Sequence, residues 1–221
     1  MTIGFRILPS PQRADPKLLE RLRALPVSNV SDNMQRGTGT NLGPMHAGGR
    51  MVGTAFTVKT RAGDNLMVHK AIDMAAPGDV IVVDAGGALD NAIIGELMAG
   101  WAKKRGIAGF VIDGAVRDSE ALGEGDFPVY AAGIAHRGPY KDGPGEINVV
   151  VSVGGMVVRP GDLVTGDDDG VLALPQEEAE RVIAAAEAQN RKEQAALGAI
   201  AAGTYDRKWV DEMLKARGCE M

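Results

Sequence analysis

The chain predicts an α/β fold with a central mixed sheet, and three features carry that prediction. Two apolar runs, VIVVDA at 80–85 and GFVID at 109–113, flank one stretch of helical character. Strand, helix, strand at this spacing is a βαβ unit with parallel pairing. From Ile147 to Leu174 the pattern changes to short apolar runs separated by Gly or Asp turns, which predicts an antiparallel meander. From Gln176 to about Ala196 the sequence is rich in Ala and Glu, the composition of a long helix.

Each element follows from local chemistry. Asp15-Pro16 before KLLERLRAL starts a helix, with Asp as the cap and Pro at the first helical position. A second short helix is expected from near Ser28 to Gly37, and residues 37–49 read as loop. Arg50 to Thr60 reads as a strand. Asp64 caps a helix over NLMVHKAIDMAA, which stops before Pro77-Gly78. Pro77-Gly78-Asp79 then turns the chain into VIVVDA, whose β-branched residues suit a strand covered on both faces. Gly86-Gly87 opens a loop, a helix begins near Gly95, and Gly109 to Asp113 forms the next strand. Pro128 to Ala131 reads as another short parallel strand after a small helix. The meander strands are expected at 147–153, 156–158, 163–165 and 171–174, with Asp169-Gly170 as a hairpin turn. Gly203-Thr204-Tyr205 separates the long helix from a final one at Asp206 to Ala216. PGDVIVVDAGG at 77–87 echoes PGDLVTGDDDG at 160–170, which reads as one turn chemistry used twice. The organisation is a single domain over 1–221, with N-terminal helices in 1–37, an α/β core in 50–175 and C-terminal helices in 176–221.

Composition narrows the function. Hydrophobic residues make up 45% of the 221 and aromatics only 4%, so Val, Ile, Leu, Met and Ala must fill the core. A net charge of −5 without a basic block does not suggest a nucleic-acid surface. One cysteine, Cys219, excludes an internal disulfide framework and a cysteine-rich zinc site. No signal-peptide layout and no apolar run of about 18 residues is present, so a soluble cytoplasmic protein without a membrane partner is expected.

The chemistry concentrates between Gly95 and Asp118. Ligands bind beyond the carboxyl ends of parallel strands, and the loops after VIVVDA and after GFVID both emerge there. The first loop delivers Gly95 and a helix start whose free N–H groups, on Leu97 and Met98, attract a carboxylate or an enolate oxygen. The second delivers Arg117, which can grip a carboxylate, and Asp118, which can bind Mg²⁺ or Mn²⁺. Glu96, in the first helical turn, is either a proton-transfer group or an acid favoured by the helix dipole. Asp113 ends its strand as a turn residue or a second metal group. Asp167-Asp168-Asp169-Gly170 lacks the ligand spacing of a calcium loop and reads as a hairpin turn. His46, His69 and His136 are scattered without metal spacing. Lys59 is the one lysine in a markedly apolar strand, and an imine-forming lysine would need burial. No G-x-S-x-G elbow, P-loop or G-x-G-x-x-G is present.

In combination, GTAFTV at 53–58, GDN at 63–65, APGDVIVVDAGG at 76–87, GEL at 95–97, GFVIDGAVRD at 109–118, PVYAAG at 128–133 and RPGD…DDDGVLALP at 159–175 are specific. Through them the chain resembles the 4-hydroxy-4-methyl-2-oxoglutarate / 4-carboxy-4-hydroxy-2-oxoadipate aldolases. That family also contains the regulator of ribonuclease E activity A, and older labels in it mention demethylmenaquinone methyltransferase. The resemblance implies a swivelling β/β/α-type layered fold and a homotrimer or a hexamer built from two trimers. It implies Mg²⁺ or Mn²⁺ at Asp118, Arg117 on the substrate carboxylate and enolate oxygen, and the Leu97 and Met98 backbone on the pyruvyl carboxylate. An acid of the C-terminal helix is expected to enter a neighbour's site, with Glu193 the best match by spacing and Glu187 also on offer. The implied activity is cleavage of 4-hydroxy-2-oxo acids to pyruvate and a second 2-oxo acid, with oxaloacetate decarboxylation from the same enolate. The alternatives are a non-catalytic ribonuclease regulator and a lyase or hydratase on another 2-oxo or 2-hydroxy acid. The chain departs from the family pattern at Ala121, where active aldolases carry an acid; Glu120 stands one place early and Glu124 three places late.

Overall fold

The computed structural model describes residues 2–221. Its first strand, β1 (Phe5–Ile7), precedes helices α1 (Pro16–Arg23) and α2 (Val27–Asp32). The core then runs β2 (Gly43–Pro44), β3 (Met51–Thr60), α3 (Leu66–Met74), β4 (Asp79–Ile94), α4 (Glu96–Lys104), β5 (Gly109–Val116), α5 (Ser119–Glu124) and β6 (Val129–Ile134). After these come β7 (Gly145–Ile147), β8 (Val151–Val153), β9 (Met156–Val158), β10 (Leu163–Asp167) and β11 (Gly170–Leu174). Helices α6 (Gln176–Ala201) and α7 (Lys208–Ala216) close the chain.

A nine-stranded mixed sheet organises the molecule, with strand order β1-β7-β3-β4-β5-β6-β2 and the β10–β11 hairpin attached to β3. Strands β3, β4, β5 and β6 are mutually parallel, while β10 and β7 run antiparallel to β3. Alternation along the strands sends side chains to two cores. Phe56, Val58, Ile81, Val83 and Ile112 pack against α3 and α4, through Val68, Ile72 and Ala102 among others. Ala55, Val80, Val82 and Val111 face the separate β8–β9 hairpin, through Val151, Val153, Met156 and Val158. The unbroken β-branched run of β4 is thus explained: both of its faces are covered. A third cluster joins α1, α2 and the first half of α6 to Leu163, Leu172 and Leu174.

Local chemistry sets the boundaries. The Asp15 carboxylate accepts from the N–H of Lys17 at 2.9 Å and starts α1 at Pro16. The repeated Pro-Gly-Asp turn is structurally the same device twice. Asp79 accepts from the N–H of Ala76, and Asp162 from the N–H of Arg159, each at 2.8 Å and three residues back. Burial pushes both carboxyls above the usual carboxylate range, against those N–H groups and the nearby Arg13 or Arg159.

Four expectations shift. Helix α2 ends at Asp32 instead of near Gly37, and Gln35 and Arg36 follow in left-handed conformation. The stretch 147–153 divides into β7 and β8, which belong to different sheets. Helix α6 continues to Ala201. The expected loop at Gly86-Gly87 is instead the middle of β4, which pairs with β5 through register shifts as far as Ile94 opposite Val116. Gly86 and Gly87 have φ of 69° and 68°, which absorb the irregularity while pairing continues.

Candidate active site

The long, irregular β4 decides where the site forms. Its last pair, Ile94 opposite Val116, brings Gly95 and Arg117 side by side, and the N–H of Arg117 donates to the Ile94 carbonyl at 3.0 Å. Asp118 then adopts a left-handed backbone, φ 55° and ψ 41°, a conformation that Asp tolerates better than most residues. The turn aims its carboxylate back at α4, where it accepts from the N–H of Glu96 at 3.0 Å. The Arg117 Nε lies 3.6 Å from the same carboxylate. Gly95 leaves the room for this. A Cβ there would overlap the Asp118 carboxylate and stand 2.9 Å from Cγ of Arg117.

Asp118 satisfies only the first N–H of α4. Among the described residues, the N–H groups of Leu97 and Met98 have no acceptor. They are the free donors of a helix start, as expected, and they border a crevice of about 240 Å³ that Arg117 and Asp118 also line. The Glu96 side chain points elsewhere: it is exposed and lines neither this crevice nor the one beside it. Glu193 is also apart in its own chain. It accepts from Asn29 at 2.8 Å and from Gln189 at 2.9 Å, where α6 lies over α2.

Asn65, His69 and Lys141 also line the crevice. Asn65 is buried, and its Nδ2 donates to the Ile93 carbonyl at 2.8 Å and contacts Sδ of Met98 at 3.3 Å. Its Oδ1 is buried without a partner. Partial burial, then the Lys141 ammonium, hold the His69 imidazole below its ordinary value, against the pull of Asp73. His69 is therefore neutral near pH 7 and able to accept a proton. In the sequence His69 is one of three scattered histidines without metal spacing, and nothing marks Lys141. Neither belongs to a spacing motif, and only the GDN tripeptide containing Asn65 carried a signal.

A second pocket of about 550 Å³ adjoins the first across Arg117 and Asp118 and is walled by Glu120, Ala121, Glu124 and His136. Among the described residues, no three His, Cys, Asp or Glu side chains cluster closely enough to enclose a metal ion. One carboxylate, Asp118, with open space on both sides fits a hard cation that keeps most of its water, as Mg²⁺ does. It does not fit a zinc site with three or four protein ligands. The remaining candidates have structural places. His46 is buried and bonded to the Val129 backbone, Asp167 accepts from the N–H groups of Val27 and Asp169 at the hairpin turn, and Lys59 is exposed. Asp113 lies opposite Asp84 on β5 and lines neither pocket. No helix among the described residues is long and apolar enough to cross a membrane.

Comparison with known proteins bears on the family and the fold. A family model described as RraA-like, Aldolase/RraA, matches residues 27–173. A protein of Halalkalibacterium halodurans, named "Putative 4-hydroxy-4-methyl-2-oxoglutarate aldolase", is 40% identical over 190 residues, which is 85% of this chain and 90% of that protein. The structure of an uncharacterized protein from Pseudomonas syringae superposes with a TM-score of 0.78 at 27% identity, covering 87% of this chain and 96% of that one. Streptomyces coelicolor RraAS2, described as an unusual member of the RNase ES inhibitor RraA protein family, gives a TM-score of 0.74 at 26% identity over 83% of this chain and 97% of its own.

Proposed function

The chain belongs to the RraA-like family, and on that premise we propose that it is a divalent-metal-dependent aldolase that cleaves 4-hydroxy-2-oxo acids to pyruvate and a second 2-oxo acid. One observation carries the reading: the Arg117 guanidinium and the unpaired N–H groups of Leu97 and Met98 border one crevice, fixed by the bond from Glu96 N–H to Asp118. The substrate class follows from the charges. The N–H groups at the α4 start hold the 2-oxo carboxylate, Arg117 faces the 2-oxo oxygen, and Lys141, which also lines the crevice, meets a second carboxylate.

Cleavage removes the proton from the C4 hydroxyl, turns that carbon into a carbonyl and breaks the C3–C4 bond. Its electron pair leaves as the enolate of pyruvate, which then takes a proton at C3. Arg117 stabilises the developing enolate charge, so no lysine imine is required. Asp118 would hold Mg²⁺ or Mn²⁺, which when bound supplies further positive charge for the same oxygen. The hydroxyl proton passes to a water, with a neighbouring copy's Glu193 assisting; the Glu96 side chain, expected from the sequence to share this step, lines neither pocket and is left out of it. Decarboxylation of oxaloacetate yields the same enolate and belongs to the same site. Glu193 serves only in an assembly, which we take to be a trimer or hexamer.

Metal-replete protein should release pyruvate from 4-hydroxy-4-methyl-2-oxoglutarate, read by coupling to lactate dehydrogenase. No release, together with oxaloacetate lost only at its spontaneous rate, rejects the aldolase. Ala121 favours a second reading, a ribonuclease-binding regulator, because it stands where the family pattern has an acid, and the acids on that wall, Glu120 and Glu124, occupy other positions. Inhibition of a purified ribonuclease E by protein that is inert toward both oxo acids would select it.

A further inference from the structure

We propose that Asp64 is a positioning residue for this crevice: its buried carboxylate ties the loop carrying Lys141 to the start of the helix carrying His69, and so keeps Lys141 in place for a second carboxylate on the substrate. The inference rests on the substrate class proposed above. Asp64 is 0% exposed and sits at the turn Gly63-Asp64-Asn65 between β3 and α3. One oxygen accepts from the N–H of Leu66, the first residue of α3, at 3.0 Å. The other accepts from the N–H groups of Asp142 at 2.7 Å and Gly143 at 2.9 Å, directly after Lys141. Arg61, half exposed, adds a bond at 3.2 Å.

The backbone repeats the tie. The N–H of Asn65 donates to the Tyr140 carbonyl at 3.0 Å, and the N–H of Tyr140 to the Gly63 carbonyl at 2.8 Å. Asn65, the next residue, reaches the other way, to Ile93 and Met98 at the end of β4 and the start of α4. One tripeptide therefore joins three walls of the crevice. Burial raises the Asp64 carboxyl, but the three backbone N–H groups and Arg61 outweigh it and hold it below the usual carboxylate range. An exposed lysine on a surface loop would otherwise sample many positions, and ordering it in advance removes that cost from binding.

Asp64→Asn is nearly isosteric, yet its NH₂ must face either Leu66 or the pair Asp142 and Gly143, donor against donor. The probes are pyruvate and 2-oxoglutarate, which has both carboxylates but no C4 hydroxyl to cleave. Calorimetry should show 2-oxoglutarate weakened on the order of tenfold by Asp64→Asn, and pyruvate changed by less than about twofold. Lys141→Met should give the same selective loss, and the double variant no further loss, since both remove one interaction. Equal loss for both probes, no loss for either, or additive losses in the double variant overturns the proposal. Hydrogen exchange on the unaltered protein tests it even if Asp64→Asn does not fold. The Asp142 and Gly143 amides should be strongly protected, and exchange at free-peptide rates overturns it. Protein that binds 2-oxoglutarate with these selective losses but releases no pyruvate from the hydroxylated substrate retains the role of Asp64 and loses the aldolase.

Discussion

Gly95 has no side chain because Arg117 and Asp118 occupy the space one would need. Its φ of −152° is open to any residue, so the requirement is steric and specific to the site. Gly95→Ala should therefore lower kcat/KM at least about tenfold with little change in melting temperature, since the Cβ displaces the enolate-facing groups and not the core. A variant with ordinary kinetics would contradict that geometry. Arg117→Ala should lower turnover of any accepted 2-oxo acid by well over about tenfold, through lost enolate stabilisation, and an unchanged rate removes it from the mechanism. His69 gives a prediction with a sign. Its value is lowered from 6.5 by burial and then by Lys141. Between that lowered value and 6.5 the unfolded chain binds more protons, so this residue's contribution to stability rises with pH through that window and is flat above it. An NMR titration of the ring should show a midpoint below 6.5, moved upward by Lys141→Met. Arg117, Asp118 and the two N–H donors were legible as residues because strand ends and a helix start announce them. His69 and Lys141 were not, because they come from separate segments that meet only in space.

At the scale of elements, the decisive one is β4. Its apolar half was plain from VIVVDA, but its second half, AGGALDNAII, carries turn-forming residues and reads as loop. It stays in the sheet because β5 offers pairing partners as far as Val116, and the bulges take up the extra residues. Gly87 is the test. A Cβ there meets only an ordinary contact, 3.7 Å from Oδ1 of Asp113, but the backbone is at φ 68°. Gly87→Ala should cost about 1–2 kcal/mol in urea unfolding, from backbone strain alone. A neutral result would mean that the bulge is soft and does not fix Gly95. The meander was foreseen in kind but not in partner. Short apolar strands show that they pair antiparallel, while the choice of β3 for β10 and of β9 for β8 depends on which faces remain to be covered.

At the scale of the whole molecule, large apolar side chains stand exposed on several elements. Leu97 is 83% exposed beside the crevice, with Trp101 and Ile134 nearby, and the second half of α6 and all of α7 expose Leu197, Ile200, Trp209 and Met213. Exposed apolar side chains grouped along helices are the kind of surface that another chain covers. Sedimentation should give three or six times the 23.1 kDa chain mass, as the proposed assembly requires. A monomer at all concentrations would leave Glu193 without a site and reject its assigned role. The sequence by itself determined the class of fold, the parallel core, the paired Pro-Gly-Asp turns and the Arg117-Asp118 motif, because each is written in residues close together in the chain. Only the tertiary structure decided that Asp118 bonds to the α4 start, that Glu96 points away, and that Asn65, His69 and Lys141 share the crevice. Those are contacts between distant segments, fixed by sheet register and buried hydrogen bonds that no local pattern encodes.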